Sequence, residues 1–94
     1  VRVHWEKIAA KVLSELRRDD RRLAERIERA VEAFATTGAG DVKRLADSPG
    51  TEPVYRLRVA QWRVLFEVDQ EDVVILVLFL GHRRDVYARF SRRR

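Results

Sequence analysis

Val73 to Leu80 is an uninterrupted run of eight apolar residues in a chain of 94. No other segment constrains the fold as much. A bilayer span needs roughly 20 apolar residues, so this run is too short to cross one. The polar segment Gln70 to Asp72 turns the chain just before it, and Gly81 follows it. A strand that is apolar on both faces belongs in the interior of a sheet, with neighbours on both edges and cover above and below. The rest of the chain must supply them.

Two further strands precede the run. In Val54 to Val59, the residues Tyr55, Leu57 and Val59 alternate with Val54, Arg56 and Arg58. In the next segment Trp62, Val64, Phe66 and Val68 alternate with Arg63, Leu65 and Glu67. Such period-two patterns mark strands with two unlike faces. Ala60-Gln61 joins them as a two-residue hairpin loop. These three strands alone would leave the apolar run at an edge. Val1 to Trp5 alternates as well, Val1, Val3 and Trp5 against Arg2 and His4, and is expected to pair beside the run.

Between the first strand and the meander, Trp5, Ile8, Ala9, Val12 and Leu16 recur at helical spacing and predict a helix over about 6–17. Asp19-Asp20 breaks the pattern and offers an N-cap. A second helix follows, with Leu23, Ile27, Ala30, Val31 and Phe34 on its buried stripe. It ends at Thr36-Thr37-Gly38-Ala39-Gly40, where Gly38 suits a C-terminal cap. So short a break makes the two helices an antiparallel hairpin. Residues 41–52 read as a connecting loop, anchored by Leu45 and punctuated by Pro49-Gly50. Val86, Tyr87 and Phe90 suggest a short helix over 84–91, and Ser91 with the three final arginines reads as a loose tail. The expectation is a single α+β domain over 1–94: an N-terminal strand, a helical hairpin packed on a four-stranded, mainly antiparallel sheet, and a short C-terminal helix.

The chain has no cysteine, which rules out disulfides and thiolate metal sites. With no signal-peptide pattern at its start, it is expected to be cytoplasmic, with no membrane partner. No metal and no cofactor is expected. Net charge is +5 and the excess is localised. Residues 1–52 carry 11 basic and 10 acidic side chains, and residues 53–94 carry 9 and 5. A basic field of this kind suits RNA or an acidic protein, and charge alone does not separate the two.

The arginines of the strands carry the chemistry. Arg56, Arg58 and Arg63 all fall on the face opposite Tyr55, Leu57, Trp62 and Val64, and the two-residue loop sets Arg58 directly across from Arg63. Like charges in that register destabilise a sheet. Either a bound anion explains them, or the long side chains splay apart on a solvated face. Gly81-His82-Arg83-Arg84-Asp85-Val86-Tyr87 follows the apolar strand, in a loop position that often carries function. From there Arg83 can reach the face of Arg63, or serve as a surface charge at a helix start. Tyr87 can stack on a base or contact ribose or phosphate, or pack as an amphipathic core residue. His82 reads as a structural histidine.

Tyr55-Arg56-Leu57-Arg58-Val59, then Trp62-Arg63-Val64-Leu65-Phe66-Glu67-Val68, then Gly81-His82-Arg83-Arg84-Asp85-Val86-Tyr87 resembles the RelE/ParE toxin superfamily, on its RelE side. The resemblance covers nearly the whole chain, including the order of elements. It implies the toxin of a type II toxin–antitoxin pair, an mRNA interferase that cuts mRNA in the ribosomal A site by attack of a ribose 2′-hydroxyl on its own phosphate. Arg63 matches the arginine that holds the scissile phosphate. Arg83 matches the one that stabilises the transition state or serves the leaving group, and Tyr87 the tyrosine that orients the attacked nucleotide. Arg56 and Arg58 stand where some members carry lysine. That is a departure, because arginine keeps its proton and is no general base. Glu67, His82 and Tyr87 remain as groups able to move a proton. The implied partners are a cognate antitoxin, the ribosome and mRNA, and operator DNA for a higher-order toxin–antitoxin complex. Two alternatives stay open: a ParE-like toxin that poisons DNA gyrase, and a catalytically weak member that only binds its antitoxin.

Overall fold

In the computed structural model, which describes residues 1–45 and 52–93, the apolar run becomes the second strand of a five-stranded sheet. The elements in chain order are β1 (Arg2–Trp5), α1 (Lys7–Asp19), α2 (Arg21–Thr37), β2 (Val42–Arg44), β3 (Tyr55–Val59), β4 (Trp62–Asp69), β5 (Val74–His82) and α3 (Val86–Arg93). The sheet order is β1-β5-β4-β3-β2. β1 pairs with β5 in parallel, Val3 beside Ile75 and Trp5 beside Val77. All the other pairings are antiparallel. β5 is therefore interior, as its composition requires, and β1 is the neighbour that takes it off the edge.

One expectation is corrected here. Part of the presumed loop 41–52 is a fifth strand, with Val42 beside Leu57 and Arg44 beside Tyr55. β3 would otherwise present an open row of backbone donors and acceptors. Asp41 O takes the Arg58 N–H at 3.0 Å and Val54 O takes the Leu45 N–H at 2.9 Å, extending that pairing at both ends. Leu45 does act as an anchor, packed against the second core described below. The Pro49-Gly50 turn lies outside the described residues. A second correction concerns the C-terminus. α3 runs through Arg93, so Ser91 is helical rather than part of a loose tail.

The helical hairpin forms as its spacing predicts. Asp20 serves both helices: its N–H donates to Leu16 O at 2.6 Å, closing α1, and its Oδ1 accepts from Leu23 N at 3.1 Å, opening α2. An N-cap of this kind contributes about 1 kcal/mol. Gly38, with φ 77°, closes α2 by donating to Phe34 O at 2.8 Å. An Arg17–Glu28 ion pair joins the two helices across their groove.

The sheet has a core on each face. On one, the hairpin residues Ala9, Leu13, Ile27 and Val31 pack against Leu57, Val64, Phe66 and Val77. On the other, Val86 and Phe90 of α3 pack on Val54, Leu65, Leu78 and Phe79. Phe66 and Phe79 are almost wholly buried, one in each core, and burial of such a side chain contributes about 1.5–3 kcal/mol. A register shift opposite Leu65/Phe66 leaves Leu78 as an extra residue on β5. That bulge feeds one more apolar side chain to the α3 side.

The β4–β5 turn is strained. Val73 is exposed and holds φ 53°, a left-handed conformation that β-branched residues avoid. Replacing Val73 with glycine should stabilise the fold by about 1 kcal/mol, because the left-handed penalty disappears and little packing is lost. A rise in the denaturation midpoint checks this, and a fall would mean that the Val73 side chain is held by contacts worth more than the strain.

Candidate functional site

The site begins at the β3–β4 turn. Ala60 takes φ 55°, so Ala60-Gln61 reverses the chain in two residues and fixes the register on either side. Arg58 then stands opposite Arg63, and Arg63 in turn stands beside Gly81 of β5. The next row along the same face is Arg56, Leu65 and Phe79. The expected alternation holds: Tyr55, Leu57, Val59, Trp62 and Val64 face the hairpin, and Arg56, Arg58 and Arg63 face away from it.

The three arginines differ in how they are held. Arg63 is half-buried, and its Nη1 donates to Ala60 O at 3.1 Å and to Trp62 O at 2.9 Å. Those two bonds use the hydrogens of one terminal nitrogen and leave Nε and Nη2 for a ligand. Arg58 is exposed, and its side chain has no hydrogen-bond or ion-pair partner among the described residues. Arg56 is engaged at the sheet edge. Its Nη1 donates to Asp41 Oδ1 at 3.1 Å and to Asp41 O at 3.0 Å, and only 18% of its side chain is exposed. Its charge is thus partly met by the protein, unlike that of Arg58.

The loop after β5 returns to the same turn. Arg83 N donates to Gln61 O at 2.7 Å, which sets the Arg83 backbone against the Ala60-Gln61 turn that also holds the Arg63 guanidinium. The Arg83 side chain is exposed and without a polar partner among the described residues. Gly81 permits the close seat of α3: a Cβ there would lie 3.2 Å from Val86 Cγ2 and 3.3 Å from Val86 Cβ. With Val86 buried against it, Tyr87 is turned outward and is 39% exposed. It is not the core residue that its helical spacing allowed. His82 pairs with Trp62 on the hairpin side, and its Nδ1 accepts the Arg84 N–H at 3.2 Å. It is a structural cap, as its position suggested, and it sits away from the arginine face.

Arg89 belongs to this face and was not singled out from the sequence. Its guanidinium carbon lies 5.3 Å from the centre of the Phe79 ring, a cation–π contact over the Arg56–Leu65–Phe79 row. The signal available was its place on α3, two residues after Tyr87. Glu67 shares the face but is one row beyond Leu65, two rows and about 13 Å along the strand from Arg63. It lines an acidic cleft at the other end of the sheet with Glu52, Asp69 and Glu71. Among the described residues, no group of histidine, aspartate and glutamate side chains is arranged to hold a metal ion. The arrangement is suited to binding a phosphodiester and stabilising negative charge that develops on it.

The family model described as the ParE toxin of type II toxin–antitoxin systems, parDE, matches residues 3–87. No curated protein sequence matches the chain. Among solved structures, the archaeal RelE–RelB complex of Pyrococcus horikoshii is similar at 27% identity and a TM-score of 0.69, over 87% of this chain and 93% of that one. The YoeB dimer of Staphylococcus aureus gives 18% identity and a TM-score of 0.69, over 87% and 95% of the two chains. The RelBE2 toxin–antitoxin complex of Mycobacterium tuberculosis gives 21% and 0.61, over 87% and 96%. The latter two show a shared fold.

The seat of α3 on Gly81 is open to test. A Gly81→Ala variant should lose about 1–3 kcal/mol of stability through overpacking against Val86. Amide exchange in α3 should accelerate more than in β4. Uniform acceleration across both elements would show that α3 is not the part displaced.

Proposed function

Because the chain belongs to the ParE toxin family of type II toxin–antitoxin systems, within the RelE/ParE superfamily, we propose that it is a toxin acting as a ribosome-dependent endoribonuclease. The observation that carries this reading is the pairing of Arg58 and Arg63 on one face beside the turn to which the Arg83 backbone is also bonded. Arg58 and Arg63 stand in like-charged register there, and the side chains of Arg58 and Arg83 have no anionic partner among the described residues. A phosphodiester would supply the missing anion.

In the proposed reaction the ribose 2′-oxygen attacks the adjacent phosphorus, and the bond from phosphorus to the 5′-oxygen breaks. The products are a 2′,3′-cyclic phosphate and a free 5′-hydroxyl. The 2′-hydroxyl proton is lost and the 5′-oxygen gains one. Arg63, through Nε and Nη2, and Arg58 would hold the non-bridging oxygens as their charge rises. Arg83 would stabilise charge on the leaving oxygen, and Tyr87 would stack on or orient the nucleotide. Arg56, tied to Asp41, would contribute mainly field. Arginine stays protonated, so these groups act by electrostatics, and preorganised charges of this kind supply several kcal/mol. Positioning of the mRNA by the ribosome would add an entropic advantage. Activity on free RNA should be low.

The partner that holds the toxin in check would be an antitoxin of acidic or amphipathic character. It would either cover the arginine face or displace α3 from the Val54, Leu65 and Phe79 surface. Assembly of the pair on operator DNA belongs to the same proposal. Two of the similar structures are toxin–antitoxin complexes.

A second reading is favoured by the description of the matching family itself, which is that of ParE. Under it the same fold would poison DNA gyrase by binding it, with no RNA cleavage. Programmed ribosomes with mapped mRNA ends, run beside a gyrase-dependent DNA-cleavage assay, separate the two. Codon-phased mRNA cuts are expected, and trapped gyrase without them would replace the nuclease reading. Arg63→Ala and Arg83→Ala should each lower ribosome-dependent cleavage at least about tenfold, or roughly 1.4 kcal/mol of transition-state stabilisation. Wild-type rates in both variants would remove these site assignments.

A further inference from the structure

Among the described residues, Asp41 is the one carboxylate in the rows that carry the strand arginines. The row beside the β3–β4 turn reads Gly81, Arg63, Arg58, and the next reads Phe79, Leu65, Arg56, Lys43. The β2–β3 register carried one step further sets Asp41 across from Arg58, and the Arg58 N–H donates to Asp41 O at 3.0 Å. Two strand spacings then separate the Asp41 and Arg63 backbones, about 10 Å in all. Asp41 closes the Arg63–Arg58 row at the sheet edge.

Its carboxylate is held in place. One guanidinium nitrogen, Arg56 Nη1, donates to Asp41 Oδ1 at 3.1 Å and to the Asp41 carbonyl at 3.0 Å, so the side chain is clasped against its own backbone. Oδ2 has no hydrogen-bond partner among the described residues, and 56% of the side chain is exposed. An acid placed for sheet stability would neutralise Arg58, which stands directly across. Asp41 instead pairs with Arg56, its diagonal neighbour, and leaves Arg58 without an ion pair among the described residues. As a tie between β2 and β3 so exposed a pair adds little, and backbone bonds already join those strands.

The reaction proposed above needs a proton acceptor for the 2′-hydroxyl. Arginine has no acceptor to offer. Glu67 is two rows from Arg63, and His82 lies on the hairpin side. We infer that Asp41 takes the 2′-hydroxyl proton, an inference that rests on the nuclease reading. With a phosphate on Arg63 and Arg58 and its ribose toward the sheet edge, Oδ2 accepts the proton as the 2′-oxygen bonds to phosphorus. The bond from phosphorus to the 5′-oxygen breaks, and the 5′-oxygen takes a proton from water. Asp41 then gives its proton to the hydroxide left by that water, which restores the carboxylate.

The test is single-turnover cleavage of mRNA on programmed ribosomes, from about pH 6 to about pH 9, with the whole protein. Loss of a general base costs about 10²–10⁴-fold, so Asp41→Asn, which keeps the shape and an acceptor for Arg56, should slow cleavage at least about a hundredfold. The protein concentration at half-saturation should stay within about threefold, because the loss falls on the chemical step. With hydroxide as the remaining base, the Asp41→Asn rate should climb about tenfold per pH unit, while the wild type, which brings its own base, climbs far less. Asp41→Glu keeps the carboxylate and should keep the shallow pH dependence, and melting temperatures of both variants separate lost chemistry from lost fold. Wild-type rates in Asp41→Asn, or a slowed variant whose pH dependence parallels that of the wild type, would overturn the inference and leave the nuclease reading standing. A steep pH dependence acquired by Tyr87→Phe in place of Asp41→Asn would do the same. No cleavage by the wild type would overturn both.

Discussion

β5 demands cover on both faces, and the arrangement of the other elements follows from that demand. Ile75, Val77 and Leu80 point to the hairpin, and Leu78 and Phe79 point to α3. Neither cover is sufficient alone, because side chains alternate along a strand and half of this one would face water. The hairpin is long and closes its face. α3 is short, with eight residues, and covers only the middle of the other. Beyond its reach the second face is polar, and there the strands place Arg58 and Arg63. The site is the part of the sheet that the smaller cover leaves open.

Within that opening the β3–β4 turn organises the charges. Three consecutive carbonyls, those of Ala60, Gln61 and Trp62, accept from Arg63 Nη1 or from Arg83 N. The turn thereby fixes one guanidinium directly and the backbone of another. Arg58 is placed by register alone. Two cations set side by side cost stability that no acidic neighbour returns here. A face built this way is preorganised for an anion, since its dipoles and charges need not rearrange when one arrives. The same turn keeps Ala60 in a left-handed conformation normally left to glycine, so tight chain reversal was kept at some local cost.

Much of this was readable before any coordinates. Period-two alternation alone assigns Arg56, Arg58 and Arg63 to one face, and a two-residue turn alone opposes Arg58 and Arg63. The helical hairpin, its Asp20 break and its Gly38 end also followed from spacing and caps. What was not readable depends on partners distant in sequence. β2 has three residues and one apolar side chain, too few for a period, and it is a strand only because β3 offers an edge. Arg56 is caught by Asp41, 15 residues away, which no local rule foresees. Arg89 joins the site through a contact with Phe79 that requires knowing where α3 lies. Tyr87 had two admissible readings, and the seat of Val86 on Gly81, which leaves Tyr87 exposed, removes the core one.

α3 is where packing and chemistry meet. Val86 and Phe90 close the second core, while on the same two turns Arg89 lies over Phe79 and Tyr87 is exposed. Lifting the helix would expose Val54, Leu65 and Phe79 and would withdraw the Arg89 cation from that face at once. An amphipathic segment that replaced Val86 and Phe90 in that groove would satisfy the core without restoring either polar group. Stability of the fold and competence of the site can therefore be separated by one substitution of partners. Under the nuclease reading such positioning carries added weight, because the arginines of this face keep their protons and cannot serve as a base.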